Sequence, residues 1–143
     1  MVRPPDDLRH ARETVLLGEG TSLKTGVDGP LMSDATRWGD LLLLSGRAAV
    51  DPATGEVRAA DFEGQLRIVL ADSLAVLAAA GSGPEHVLRV ECWLTDQAQF
   101  AEWNSQYAAA FPPPRPARTT LVVAGLPLPG LLVELQLTAA VPQ

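Results

Sequence analysis

The stretch HVLRVECWLTDQAQFAEWNSQYAAAFPPPRPARTTLVV, residues 86–123, changes its periodicity twice, and those changes decide the fold. From His86 to Thr95 the chain alternates. Leu88, Val90, Cys92 and Leu94 share one face and Arg89, Glu91, Trp93 and Thr95 the other, the period of a strand. From Asp96 to Phe111 the spacing lengthens. Phe100, Trp103, Tyr107 and Phe111 form one stripe of a helix that Asp96 can cap, and an aromatic stripe at this spacing reads as core. Pro112 to Pro116 cannot continue that helix and reads as an extended connector. Ala117 to Val123 is a strand again.

Working outward, Pro127 to Gly130 is a turn and Leu131 to Val141 a last strand. Upstream, Asp61 to Ala80 is the clearest helix. Apolar residues recur at Phe62, Leu66, Val69, Leu70, Leu74 and Leu77, Asp61 can cap it, and Gly81-Ser82-Gly83 ends it. Arg37 to Val50 contains the first strand, Asp51-Pro52-Ala53-Thr54-Gly55 is a turn, and Glu56-Val57-Arg58 returns as a hairpin. The order β-β-α-β-α-β-β predicts an α+β domain over residues 31–143, one sheet with both helices on one face. The other face needs cover, which another copy of the chain supplies most simply, and the polar strand face bearing Trp93 suits that role.

Residues 1–30 read as an N-terminal extension. Pro4-Pro5-Asp6-Asp7 can open a short helix through Leu17, after which Gly18, Gly20, Gly26 and Gly29 break the pattern. The expectation is a loosely packed arm or a strand added to the sheet edge.

Eleven basic against seventeen acidic residues leave a net charge of −6, and Lys24 is the only lysine. Phosphate backbones are gripped by clustered cations, so nucleic acid is not the expected partner. Cys92 is the single cysteine and reads as a small buried hydrophobe. No secretory signal and no apolar run of membrane-spanning length is evident, which points to a cytoplasmic protein without a membrane partner.

Familiar catalytic signatures are missing. His10 and His86 lack metal-ligand spacing, and no glycine-rich nucleotide loop or nucleophile elbow occurs. Two residues stand out instead. Arg118 lies between the proline-rich connector and a β-branched strand, with small or polar neighbours; its planar fork matches a carboxylate, or it forms an ion pair with Glu134 or Asp40. Glu134 interrupts the otherwise apolar run Leu131 to Leu137, where a carboxylate is either paired or functional.

The segment Asn104-Ser105-Gln106-Tyr107 through Phe111-Pro112 to Arg115-Pro116-Ala117-Arg118-Thr119-Thr120 resembles the signature of the Rid (YjgF-like) family, also labelled endoribonuclease L-PSP. Leu44-Ser45-Gly46 before Asp51-Pro52-Ala53-Thr54-Gly55-Glu56, then Leu126-Pro127 and Val133-Glu134-Leu135, resemble its hairpin and closing strands; the likeness runs from Met32 to Val141.

The resemblance implies a chorismate-mutase-like fold and a homotrimer with clefts between subunits. It implies cofactor-independent, metal-free hydrolysis of 2-imino or 2-enamino acids to 2-oxo acids and ammonia. Arg118 would hold the substrate carboxylate and Glu134 would direct water. Ser45, Gly46 and the backbone at Thr120 would line the cleft. Three positions depart from the pattern: Met32 stands where the family often has tyrosine, Arg47 where it has glutamine, and Thr120 where some members have cysteine. Arg47 either adds a second anion contact or faces solvent. Two further readings remain beside the deaminase: a non-catalytic trimer that binds small carboxylates, and an endoribonuclease or translation inhibitor.

Overall fold

The computed structural model describes residues 12–15 and 31–143. Seven strands form one sheet: β1 (Glu13–Val15), β2 (Ala35–Trp38), β3 (Leu41–Leu44), β4 (Arg47–Ala48), β5 (Val87–Leu94), β6 (Ala117–Val122) and β7 (Val133–Ala140). Their order is β1-β2-β3-β7-β5-β6, with β4 also paired to β7. Only β5 and β6 run parallel; the other pairs are antiparallel. Helices α1 (Phe62–Ala79) and α2 (Phe100–Ala110) connect β4 to β5 and β5 to β6.

Periodicity explains most of this. Helix α1 turns Leu66, Val69, Leu70 and Leu77 into the core and stops in a glycine-dependent cap. Gly81 sits at φ +78°, Ser82 N–H donates to Leu77 O, and Gly81 N–H donates to Ala78 O. Asp61 is the N-cap residue, but its backbone carbonyl, not its side chain, makes the bond, accepting from Gln65 N–H. Asp96 caps as expected: its carboxylate accepts from Ala98 N–H at 2.8 Å and Gln99 Oε1 accepts from Asp96 N–H at 3.1 Å. Residues 97–99 form one tight turn before α2 starts at Phe100.

Five readings change. The stretch Arg37 to Val50, expected to contain the first strand, holds parts of three. Gly39, at φ 59°, turns β2 into β3, and Ser45-Gly46 then interrupts the run before β4. The expected return strand is a single bridge, Val50 to Val57, closed by Asp51 Oδ1 accepting from Ala53 and Thr54 N–H. Leu88 leaves the core face: a register shift between Val87 and Arg89 buries Val87 and exposes Leu88. Phe100 also leaves its stripe and is exposed, while Trp103, Tyr107 and Phe111 are buried. In the extension, Glu13–Val15 is no part of a helix; it pairs with β2 at the sheet edge. Pro4 to Asp7, His10 and the glycines from Gly18 to Gly29 lie outside the described residues.

Alternation along β3 and β7 divides the sheet into two faces. Leu42, Leu44, Leu135 and Leu137 are fully or almost fully buried beneath the helices. Each such leucine contributes roughly 1.5–3 kcal/mol relative to exposure. The opposite face carries Leu41 and Leu43 of β3, with 40% and 47% of their surface exposed. Glu134, Gln136 and Thr138 of β7 share it, with Arg89, Glu91 and Trp93 of β5 in register beside them.

The loop before β7 is held from below by a buried amide. Gln65 Nε2 donates to Ala59 O at 2.9 Å and to Gly130 O at 2.8 Å, and its Oε1 accepts from Leu132 N–H at 2.8 Å. All three partners are backbone groups, so Gln65 sets where β7 begins and hence where Glu134 points.

Candidate active site

The break at Ser45-Gly46 builds the site floor. Ser45 N–H donates to Asp34 O at 3.0 Å, and Ser45 Oγ donates to Ser33 O at 2.7 Å. These bonds strap residues 33–34 across the break. Gly46 is required by contact: a Cβ there would overlap Glu134 Oε1 and lie 3.1 Å from its Cδ. The Glu134 side chain therefore rests on the bare Gly46 backbone.

A cavity of about 350 Å³ opens above this floor, and Met32, Ser45, Gly46, Arg47 and Glu134 all line it. Glu134 is half-buried, and desolvation raises its pKa above the usual carboxylate value. Among the described residues it makes no hydrogen bond or ion pair. Such a carboxylate can accept a proton from water beside it.

Arg47 is only 17% exposed in its side chain and forms an ion pair with Asp34, which is 4% exposed. It neither faces solvent nor stands as a free cation. Asp34 is the site residue that sequence reading missed; the only signal for it was an arginine next to Gly46 that needed a counter-ion. Arg58 also lines the cavity and pairs with Asp72 at 2.7 Å.

Arg118 and Thr120 stand apart from this cavity. Glu134 of β7 is in register with Trp93 of β5, which is in register with Leu121 of β6. Arg118 is three residues from Leu121 along β6, so strand alternation puts it on the opposite, helix-covered face. There its guanidinium lies over aromatic rings, 4.7 Å from the Tyr107 centroid, 5.6 Å from Trp103 and 5.8 Å from Phe100. Trp103 Nε1 donates to Thr120 Oγ1 at 2.9 Å, which fixes the indole in this platform. Among the described residues Arg118 has no ion pair: Glu134 is on the other face, and Asp40 instead contacts Arg37 and Gln143. Among those residues its donors are uncommitted.

Cys92 lies directly across from Thr120 in the parallel ladder. Burial pushes its thiol up to about 12, against the lowering effect of Arg118, so the thiol is inert at neutral pH. Burial likewise raises the Tyr107 hydroxyl pKa, opposed by Arg118 and Arg115. Asn104, next to Trp103 on α2, buries its Oδ1 without a hydrogen-bond partner among the described residues. His86 ends a short turn at the entrance to β5, beside Glu85 at 3.4 Å. Among the described residues no cluster of three or more His, Cys, Asp or Glu side chains could hold a metal ion.

The endoribonuclease L-PSP family model matches residues 28–141. The chain belongs to the Rid family. A RutC family protein of Pyrococcus horikoshii is 36% identical over 107 residues, 75% of this chain and 84% of the relative. Reactive Intermediate Deaminase A of Arabidopsis thaliana, a chloroplast protein, is 38% identical over 96 residues, 67% of this chain and 51% of the relative. Among solved structures, the Rid protein YyfA of Yersinia pestis superposes with a TM-score of 0.79 at 30% identity, covering 92% of this chain and all of that one. RidA of an Antarctic Psychrobacter gives 0.76 at 30% identity, covering 90% and 98%. The Rid fold expected from the signature, one sheet with two helices, is the fold found. Among the described residues no helix is long and apolar enough to cross a membrane.

Proposed function

We propose that this Rid protein hydrolyses 2-imino and 2-enamino acids to 2-oxo acids and ammonia, in clefts shared between copies of a homotrimer. One observation carries the reading. The cavity holding Glu134 offers no unpaired cation, since Arg47 and Arg58 already have carboxylate partners. The uncommitted guanidinium, Arg118, is on the other face of the same sheet. A second copy, placing its β6 edge against the open face of the first, joins the two halves.

In that cleft Arg118 of one copy grips the substrate carboxylate with two parallel N–H donors. Glu134 of the other copy accepts a proton from water as the oxygen adds to the imine carbon. Glu134 returns that proton to nitrogen, giving the aminoalcohol; the hydroxyl proton then passes through Glu134 to nitrogen as the C–N bond breaks, releasing ammonia and leaving the 2-oxo acid. An imine carbon is already electrophilic, so positioning supplies much of the acceleration. Ser45 and Gly46 set the floor, and Met32 lends an apolar wall.

The test generates imines in place with an amino-acid oxidase or enamines with a threonine dehydratase, and follows 2-oxo acid release. Acceleration over buffer by wild type and its loss in Arg118→Ala are expected; folded wild-type protein that accelerates nothing rejects the reading. Met32 favours one second reading, a trimer that binds small carboxylates without turnover, because it puts a thioether where many relatives have a phenol; calorimetry with 2-oxo acids separates the two. RNA cleavage is the weakest reading, for the chain is acidic and Arg37, Arg47, Arg58 and Arg67 all have carboxylate partners.

A further inference from the structure

The cavity beside Glu134 contains more charge than a cleft for one carboxylate needs, and that charge cancels in pairs. Arg47 is matched by Asp34 and Arg58 by Asp72, and all four residues line the cavity. Among the described residues that line the cavity, Glu134 is the one carboxylate left over. Apart from Ser33 and Ser45 the rest of the wall is mostly apolar, with Met32, Val50, Pro52, Pro127, Leu128 and Leu131. Its volume, about 350 Å³, falls at the small end of ligand sites.

We infer that this cavity takes the uncharged, apolar side chain of the substrate, and that Asp34 and Asp72 exclude acidic side chains by neutralising the two guanidiniums that would otherwise welcome them. The inference rests on the deaminase reading and names its substrate class. A second carboxylate placed here would meet the unpaired Glu134, with both guanidiniums already held by aspartates, and like charges in a partly desolvated space repel strongly. An aliphatic side chain instead covers the apolar wall. The Arg47–Asp34 pair lies at the floor, next to Gly46, whereas the Arg58–Asp72 pair is more exposed; either guanidinium, once released, would be available to a ligand.

The experiment compares imines made in place from leucine and from glutamate, with wild type, Asp34→Asn, Asp72→Asn and the double variant Asp34→Asn/Arg47→Gln. Wild type is expected to favour the leucine-derived imine. Each single Asn variant should raise kcat/KM for the glutamate-derived imine by roughly ten- to hundredfold, the worth of one hydrogen bond to a charged group. Removing Arg47 in the Asp34→Asn background should return the wild-type preference. Asp72→Asn serves if Asp34→Asn fails to fold, because the Arg58–Asp72 pair is partly exposed. Calorimetry with 4-methyl-2-oxopentanoate and 2-oxoglutarate reads the same preference without turnover. Wild type that turns over neither imine rejects the deaminase reading, and the calorimetric preference then judges the inference alone. Equal treatment of both imines or both oxo acids by wild type overturns the inference and leaves the deaminase reading standing. A preference that no Asn variant moves overturns it as well.

Discussion

Mixing two dead variants tests the shared cleft more sharply than killing either residue. On the proposed mechanism, Arg118→Ala removes two charge-assisted donors to the substrate carboxylate, each worth about 1.5–3 kcal/mol. Together that is roughly 3–6 kcal/mol, or about a hundred- to ten-thousandfold in kcat/KM. The fold should tolerate the change. Arg118 has no ion pair among the described residues and gives up only its place over Tyr107, Trp103 and Phe100. A cation over an aromatic face at a partly exposed site is worth about 0.5–1 kcal/mol, which lowers Tm by about 2–4 °C at most in a chain this size. Glu134→Gln removes the carboxylate proposed to activate water, on the other face of the sheet. Unfold the two variants together, refold them, and assay 2-oxo acid release. If each cleft takes Glu134 from one copy and Arg118 from its neighbour, half the copies supply each intact group, and about one quarter of wild-type activity returns. If both groups serve from one chain, no combination restores a site. A mixture as inactive as its parents, with subunit exchange verified by native mass spectrometry, refutes the reasoning.

Replacing Gln65 with Ala strands Ala59 O, Gly130 O and Leu132 N–H; at about 1–3 kcal/mol for each buried polar group left unpaired, a loss of roughly 3–5 kcal/mol is expected in urea melts, allowing for partial rescue by water. Gly46→Ala should spare the fold, because the clashing atom is the end of a flexible side chain, yet cut kcat about a hundredfold by pushing the Glu134 carboxylate off its position; retained activity would show that the carboxylate's seat on Gly46 is immaterial. Glu134 is an acid whose folded pKa is raised by burial, so its ionisation destabilises the fold as pH rises through that value and costs nothing below the ordinary carboxylate range. Glu134→Gln should therefore melt higher than wild type at neutral pH, with the advantage vanishing in acid. The wild-type activity profile should have its acidic limb above the pH where a free glutamate titrates. Leu43→Asp, on the open face, should yield folded monomers by light scattering and abolish turnover.

Local periodicity made both helices, β5, β6 and β7 legible, because each buries one face and so repeats at 3.6 or 2 residues. It failed where pairing, not pattern, sets register. Arg37 to Val50 showed only that it contains a strand, whereas β3 and β4 meet β7 on either side of the Ser45-Gly46 break. The slip that expels Leu88 is likewise invisible in an alternating sequence, since it is decided by Ala139 and Thr138 across the ladder. Arg118 and Glu134 were both found by chemistry, as a guanidinium and a carboxylate in apolar strands. Their separation could not be, because it needs the strand order β7-β5-β6. Asp34 escaped for a similar reason: residues 13 apart become partners only when β2 and β3 fold back around Gly39.

The two uncommitted groups lie on opposite faces of one sheet, and this ties function to assembly. A single chain can bury its helices and complete its core, with Leu42, Leu44, Leu135 and Leu137 all covered. It cannot bring Arg118 to Glu134 by any local motion, because strand alternation fixes the side from which each projects. Nor, among the described residues, does Arg118 have a counter-ion on its own face, where its neighbours are rings and a threonine already engaged by Trp103. The open face meanwhile exposes Leu41 and Leu43 beside the row of Glu134, Gln136 and Thr138. In the proposed trimer, covering that face with a second copy would offset the exposed leucines and supply the missing guanidinium in one step. Selection for burial and selection for a substrate-binding cation thus act on the same contact, so the leucines of β3 and the arginine of β6 should lose activity together when either is changed.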